Sequence, residues 1–166
     1  MPVAATAFIA LGSNLGDSRR ILERAFDRLQ ELSTVPIRRS SHWRSSPVDC
    51  PPGSSDFVNA VAALTPLPDE TPESLLAKLR AIEVEFGRAP KLVLNEPRPL
   101  DLDLIAFGSE VRSTDQLTLP HPRARSRSFV LMPLSEVAPD FILPGMFETV
   151  AELARKTDAG PDCRRL

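Results

Sequence analysis

Cysteine is scarce in this chain: Cys50 and Cys163 are the whole complement in 166 residues. Two such thiols fit no metal-ligand spacing and are too few for a disulfide framework, which excludes a stapled scaffold and favours a reducing compartment. An excess of either charge is missing too. Lysine and arginine number 20 against 22 aspartate and glutamate, a formal net charge of −2. Neither disorder nor wholesale attraction to nucleic acid is indicated, so any phosphate binding must be local. No apolar run is long enough to span a bilayer, and the opening "MPVAATAFIALG" has no basic region ahead of its short apolar stretch. These absences lead to the expectation of a soluble, cytoplasmic protein with no membrane partner. Linkers, internal repeats and low-complexity tracts are also lacking, and the 17 prolines read as scattered loop punctuation. One domain over residues 1–166 is expected, of a size that can bury its own core.

What is present is an alternation of strand and helix signals. Thr6 to Leu11 is a β-rich apolar run that stops at "GSNLGD", where Gly12 and Gly16 permit a turn and Asp17 or Ser18 can cap a helix. Ile21, Leu22, Ala25, Leu29 and Leu32 then share one face, predicting a helix from about Arg19 to Leu32. An extended piece, "IRRSSHWRSS", and a loop, "SPVDCPPGSS", precede "DFVNAVAAL". That stretch alternates, with Phe57, Asn59, Val61 and Ala63 on one face and Val58, Ala60, Ala62 and Leu64 on the other. Thr71 and Pro72 open a second helix carrying Leu75, Leu79, Ile82 and Phe86, with Gly87 placed to end it. "PLDLDLIAF" is a fourth strand. The order βαββαβ predicts an α/β protein of the α+β kind, a ferredoxin-like core of antiparallel strands with both helices on one face. Leu117 to Leu166 adds a short extended piece, a proline-flanked segment and a last helix near Phe147 to Lys156.

The fourth strand carries the chemistry. Leu100, Leu102 and Leu104 face one way, and Asp101 and Asp103 face the other, roughly 7 Å apart. Two carboxylates on one strand face repel each other and are costly to bury unless something positive lies between them. A neighbouring arginine such as Arg98 would do, as would a wet strand end. Arg88, Lys91, Arg123, Arg125 and Arg127 also flank the strand in sequence, however, and acidic oxygens ringed by guanidinium groups suit a magnesium-bound polyphosphate better.

Four ordered stretches, "ALGSNLGD", "DFVNAV", "PRPLDLDLIAFG" and "LPHPRARSRSFVLMPL", closely resemble the 6-hydroxymethyl-7,8-dihydropterin pyrophosphokinases of folate biosynthesis. The resemblance implies a ferredoxin-like fold and transfer of diphosphate from ATP to the hydroxymethyl group of the reduced pterin, releasing AMP. Carried over position by position, it makes Asp101 and Asp103 ligands of two magnesium ions and puts Arg88, Arg98, His121 and Arg127 on the phosphates. Glu83, Leu104, Leu117 and Thr118 would line the adenosine site. Phe57 and Phe129 would sandwich the pterin, Asn59 would bond its edge, and Ser45, Ser46 and Val48 would complete that pocket. Arg88 to Pro97 is expected to close over ATP, although Asn95, Glu96 and Pro122 depart from the family pattern. A monomer acting on ATP and a reduced pterin alcohol, with no nucleic-acid partner, is the reading that follows. Its rivals are another magnesium phosphohydrolase or nucleotidyltransferase, and a catalytically silent nucleotide-binding module.

Overall fold

A computed structural model describes residues 5–47, 51–88, 98–157 and 163–166. The expected positions Val48, Lys91, Asn95 and Glu96 lie outside them.

Strand β1 (Ala7–Ser13) leads into helix α1 (Ser18–Gln30), whose N-cap is Asp17; its side chain accepts from the Arg20 N–H. Strands β2 (Arg38–Arg39), β3 (Trp43–Ser45) and β4 (Phe57–Leu64) follow. Helix α2 (Pro72–Glu85) is opened by a reciprocal cap in which Thr71 and Ser74 each accept from the other's N–H, and by Pro72 in its first turn. Strand β5 (Asp101–Phe107) completes the core. Beyond it come β6 (Arg112–Ser113), β7 (Thr118–Leu119), a 3₁₀ turn at Ala124–Ser126, α3 (Ser128–Val137), α4 (Val150–Lys156) and β8 (Cys163–Arg165).

The main sheet runs β5-β1-β4-β3-β8, with β2 pairing β4 beside β3, and every pairing is antiparallel. Without β8 this is the split βαβ arrangement expected from the element order. The broken second strand is one departure: "IRRSSHWRSS" gives two short strands instead of one. Gly12 is another, since it belongs to β1 and only Gly16 of that pair takes a positive φ, at 81°. The proline-flanked segment holds helix α3 with Pro133 inside it, and the last helix starts at Val150, leaving Phe147 96% exposed. Proline in a helix interior removes a hydrogen bond. Here the burial of Val130, Leu131, Leu134 and Val137 outweighs that loss.

Each strand contributes alternate residues to two cores. Ile9, Leu11, Ala60, Ala62, Leu64, Leu102 and Leu104 pack under α1 and α2. Phe8, Val61, Ala63, Ile105 and Ala106 pack under α3 and α4. Ile105 is the extra residue of a bulge where β1 changes register against β5 between Phe8 and Ile9. The second core reaches only part way along the sheet. At the end of β1 and the beginnings of β4 and β5, that face is left open as a cleft.

Candidate active site

The floor of the cleft follows from strand register. Gly12 of β1 lies between Asp101 of β5 and Asn59 of β4, and Ala10 lies between Asp103 and Val61. All of these except Val61 line a cavity of about 700 Å³. The central strand therefore presents only a methyl group and a hydrogen between the acidic strand and the amide strand. A Cβ built on Gly12 would sit 3.6 Å from both Asn59 Oδ1 and Phe57 Cδ1. That is ordinary contact, so the fold would accept a methyl there; what it would fill is the cleft.

Eleven of the expected site residues come together around this space: Ser45, Ser46, Phe57, Asn59, Arg88, Arg98, Asp101, Asp103, His121, Arg127 and Phe129. Four do not line it. Glu83, Leu104 and Leu117 are buried, at 1%, 3% and 8% exposure, and Thr118 is exposed on β7. The cavity adds Ala10, Gly12 and Arg80, which were not among the expected site residues, and Arg123 from the cationic set flanking the acidic strand. In sequence Gly12 reads as a turn residue, and Arg80 carries no motif signal at all.

The two aspartates differ. Asp101 Oδ1 accepts from Arg88 Nη1 at 2.8 Å, and its Oδ2 is 3.4 Å from Arg98 Nη1. Burial by itself would raise its pKa, but the Arg88 hydrogen bond and the charges of Arg98, Arg88 and Arg80 outweigh burial and hold it below the usual carboxylate range. Asp103 has no such ion pair among the described residues, and burial together with the Asp101 charge pushes it up to about 6. The arginine-paired reading thus holds for Asp101 and fails for Asp103, which is left in need of a cation. Hard oxygens on one strand face suit magnesium. No group of three or more His, Cys, Asp or Glu able to hold a metal occurs among the described residues, so two carboxylates could complete a cation's shell only with oxygens from a ligand or water.

His121 is placed by its own backbone, whose N–H donates to Ile105 O at 2.8 Å. Burial, followed by the charges of Arg127 and Arg123, lowers its pKa. The ring is therefore neutral at pH 7; Nδ1 accepts from the Arg123 N–H at 3.2 Å, which leaves Nε2 to carry the proton. Across the cleft, Asn59 Nδ2 donates to Ser45 Oγ at 2.8 Å. Phe129, near the start of α3, lies under the Arg127 guanidinium, 5.3 Å from Cζ to ring centroid. One end of the cavity is thus cationic around a carboxylate pair, and the other is aromatic with a fixed amide.

The family model for 7,8-dihydro-6-hydroxymethylpterin-pyrophosphokinase (HPPK) matches residues 8–139. The chain belongs to this family. A 2-amino-4-hydroxy-6-hydroxymethyldihydropteridine pyrophosphokinase of Synechocystis is 37% identical over 152 residues, 92% of this chain and 76% of that protein. The protein of the same name from Pseudomonas aeruginosa is 41% identical over 140 residues, 82% of this chain and 83% of its own length. Among solved structures, the wild-type HPPK-DHPS of Plasmodium falciparum with pteroate aligns with a TM-score of 0.76 at 13% identity. It covers 98% of this chain, which spans about half, 48%, of that longer one. At such low identity the likeness is one of fold, and the fold is that of an HPPK domain.

Proposed function

We propose that this cleft carries out the family's reaction with one division of labour: the β5 end holds ATP and its metal, and the β4 and α3 end holds the pterin. The protein is an ATP-dependent pyrophosphokinase of folate biosynthesis, moving diphosphate from ATP to 6-hydroxymethyl-7,8-dihydropterin and releasing AMP. The observation that carries the division is the shared floor, since carboxylates, amide and both phenylalanines open into a single cavity.

Magnesium, when bound, neutralises triphosphate charge and helps align the attacking and leaving oxygens. Asp101 and Asp103 would hold two such ions. Arg88 and Arg98 exchange the Asp101 carboxylate for phosphate oxygens as ATP enters, which leaves Asp101 available to cations. Arg127 contacts the same phosphates, and the Nε2–H of His121 donates to them. The adenosine half runs past His121 toward exposed Thr118, while Glu83, Leu104 and Leu117 support that wall from within the fold. Phe57 and Phe129 grip the two faces of the pterin, and Asn59, with Ser45, Ser46 and Val48, reads its edge. The nucleophile is the pterin's own hydroxyl; the protein supplies position and a dry, positively charged setting. The scheme takes one domain acting as a monomer in the cytoplasm. No helix among the described residues is long and apolar enough to cross a membrane.

The test is to incubate the protein with ATP, magnesium and the reduced pterin alcohol and identify the nucleotide formed. AMP in equal amount to pterin diphosphate is expected. ADP, or nucleotide turnover that does not need the pterin, would point to a phosphohydrolase instead.

A further inference from the structure

Strand β5 lies at the edge of the sheet, with β1 on one side and, among the described residues, no strand on the other. An edge leaves main-chain groups to find partners elsewhere. At Leu102, between the two aspartates, both groups find them on α2. The Leu102 N–H donates to Glu83 Oε2 at 2.8 Å, and the Leu102 carbonyl accepts from Arg80 Nη1 at 3.0 Å. The two side chains are also joined to each other, Arg80 Nη1 to Glu83 Oε1 at 2.8 Å. Glu83 Oε2 takes a second donor, Arg88 Nη1 at 2.9 Å, the nitrogen that also holds Asp101.

One carboxylate acceptor and one guanidinium donor, a helical turn apart, thus offer Leu102 the pair of groups that a neighbouring strand would offer. Burying a carboxylate to 1% exposure is costly unless its oxygens are bonded. Sealing an edge does not require it, since water would satisfy the same peptide. A rigid peptide between two ligand side chains is what the arrangement adds, and groups that orient ligands commonly set metal affinity.

We propose that Arg80 and Glu83 are positioning residues for cation binding: they replace the missing strand neighbour of Leu102 and so hold Asp101 and Asp103 at a fixed separation. The proposal rests on the reading of those aspartates as metal ligands. Arg80 lines the cavity, but the bonds described above spend its Nη1 on the frame, and its effect reaches the cation through the strand.

The test compares the full-length wild type with Arg80→Ala, Arg80→Gln and Glu83→Gln. Backbone hydrogen exchange is followed on metal-free protein, and Mn²⁺ binding by paramagnetic resonance with a non-hydrolysable ATP analogue present. In Arg80→Ala, exchange at Leu102 should rise about tenfold or more while the amides of β1 and β4 stay protected, and Mn²⁺ affinity should fall about 10- to 100-fold. The KM for pterin should not move. Arg80→Gln, which keeps a donor for the carbonyl and loses the charge, should recover most of the affinity. Should Glu83→Gln fail to fold, the exposed Arg80 still decides the matter. Faster exchange with unchanged Mn²⁺ affinity in the Arg80 variants would overturn the proposal, leaving only an edge seal. Weaker binding of the metal-free analogue with unchanged exchange would overturn it in favour of direct phosphate contact. A wild type that binds no Mn²⁺ with nucleotide would sink the ligand reading itself, an outcome distinct from wild type and variants binding equally.

Discussion

The two faces of one sheet are built from the same strands and answer to different demands. On the face under α1 and α2, Leu100, Leu102, Leu104, Ala60, Ala62 and Leu64 are all within 3% of full burial. On the other face, α3 and α4 cover Phe8, Val61 and Ala63 but stop short of Asp101, Asp103, Phe57 and the space above Gly12. The covered face is chosen for packing, and its residues contribute to stability. The uncovered end carries a half-buried like-charge pair, a half-buried aromatic and a residue without a side chain, all of which a stable fold would avoid unless a ligand used them.

Adjacent residues on β5 give the largest contrast. Asp101→Asn or Asp103→Asn should lower turnover by more than about a hundredfold without the loss of stability of a core truncation, because a metal ligand is lost without loss of volume. Leu102→Ala, one residue away, should remove about 2–5 kcal/mol of stability as judged by denaturant unfolding. Turnover near wild type in either asparagine variant, with its magnesium dependence unaltered, would break the division between the faces.

The aromatic end should separate from the acidic end. Phe129→Ala removes a stacking platform worth about 0.5–1.5 kcal/mol beyond area burial, so with the lost burial pterin affinity should fall roughly tenfold or more. Calorimetry with an unreactive ATP analogue should show nucleotide affinity changed much less, although Arg127 loses its ring partner. Equal loss of both ligands would mean that the two ends are one site energetically.

The open face should also show its cost through pH. Asp103 is raised to about 6, so in metal-free protein its contribution to stability is present while the group is protonated, below about pH 4, and is lost as pH rises through about 6. Asp103→Asn should therefore be more stable than wild type at about pH 8 by about 1–2 kcal/mol, with the gain fading on acidification. Asp101, held below the usual range by its arginines, has the opposite sign: its contribution is present above its unfolded pKa and is lost only as pH falls through the depressed folded value. Thermal melts across this range, without metal, would expose any parallel behaviour of the two. The smallest effect is expected at Gly12→Ala, with stability within about 0.5 kcal/mol of wild type and a several-fold rise in KM for pterin. The variant sharpens the comparison because the methyl fits the protein and intrudes only on the cleft.

Much of this was legible in the chain before any coordinates. Alternation in "DFVNAVAAL", and in "PLDLDLIAF" as far as Ile105, assigned residues to their faces, the bulge then reversing Ala106 and Phe107; capping chemistry at Asp17 and at Thr71–Pro72 located both core helices. These signals are local: period, cap and turn are written within a few residues of where they act. Helix α3 was not legible, because Pro133 speaks against a helix locally while the burial that overrides it comes from strands far away in sequence. Strand β8 was hidden for a similar reason, since three residues pair only because β3 offers them an edge.

The sequence by itself determined the fold class, the family and the set of residue types that a magnesium-nucleotide and pterin site needs, because those are carried by short motifs and by the alternation of apolar and polar positions. Only the tertiary structure decided which of those side chains share a cavity, that Gly12 is floor and not turn, that the pKa values of the two aspartates are pushed in opposite directions, and that Arg80 and Glu83 reach across a strand edge to Leu102. Those facts depend on strand register and on the distance between helix and sheet. Both are set by packing between segments tens of residues apart, which no local pattern records.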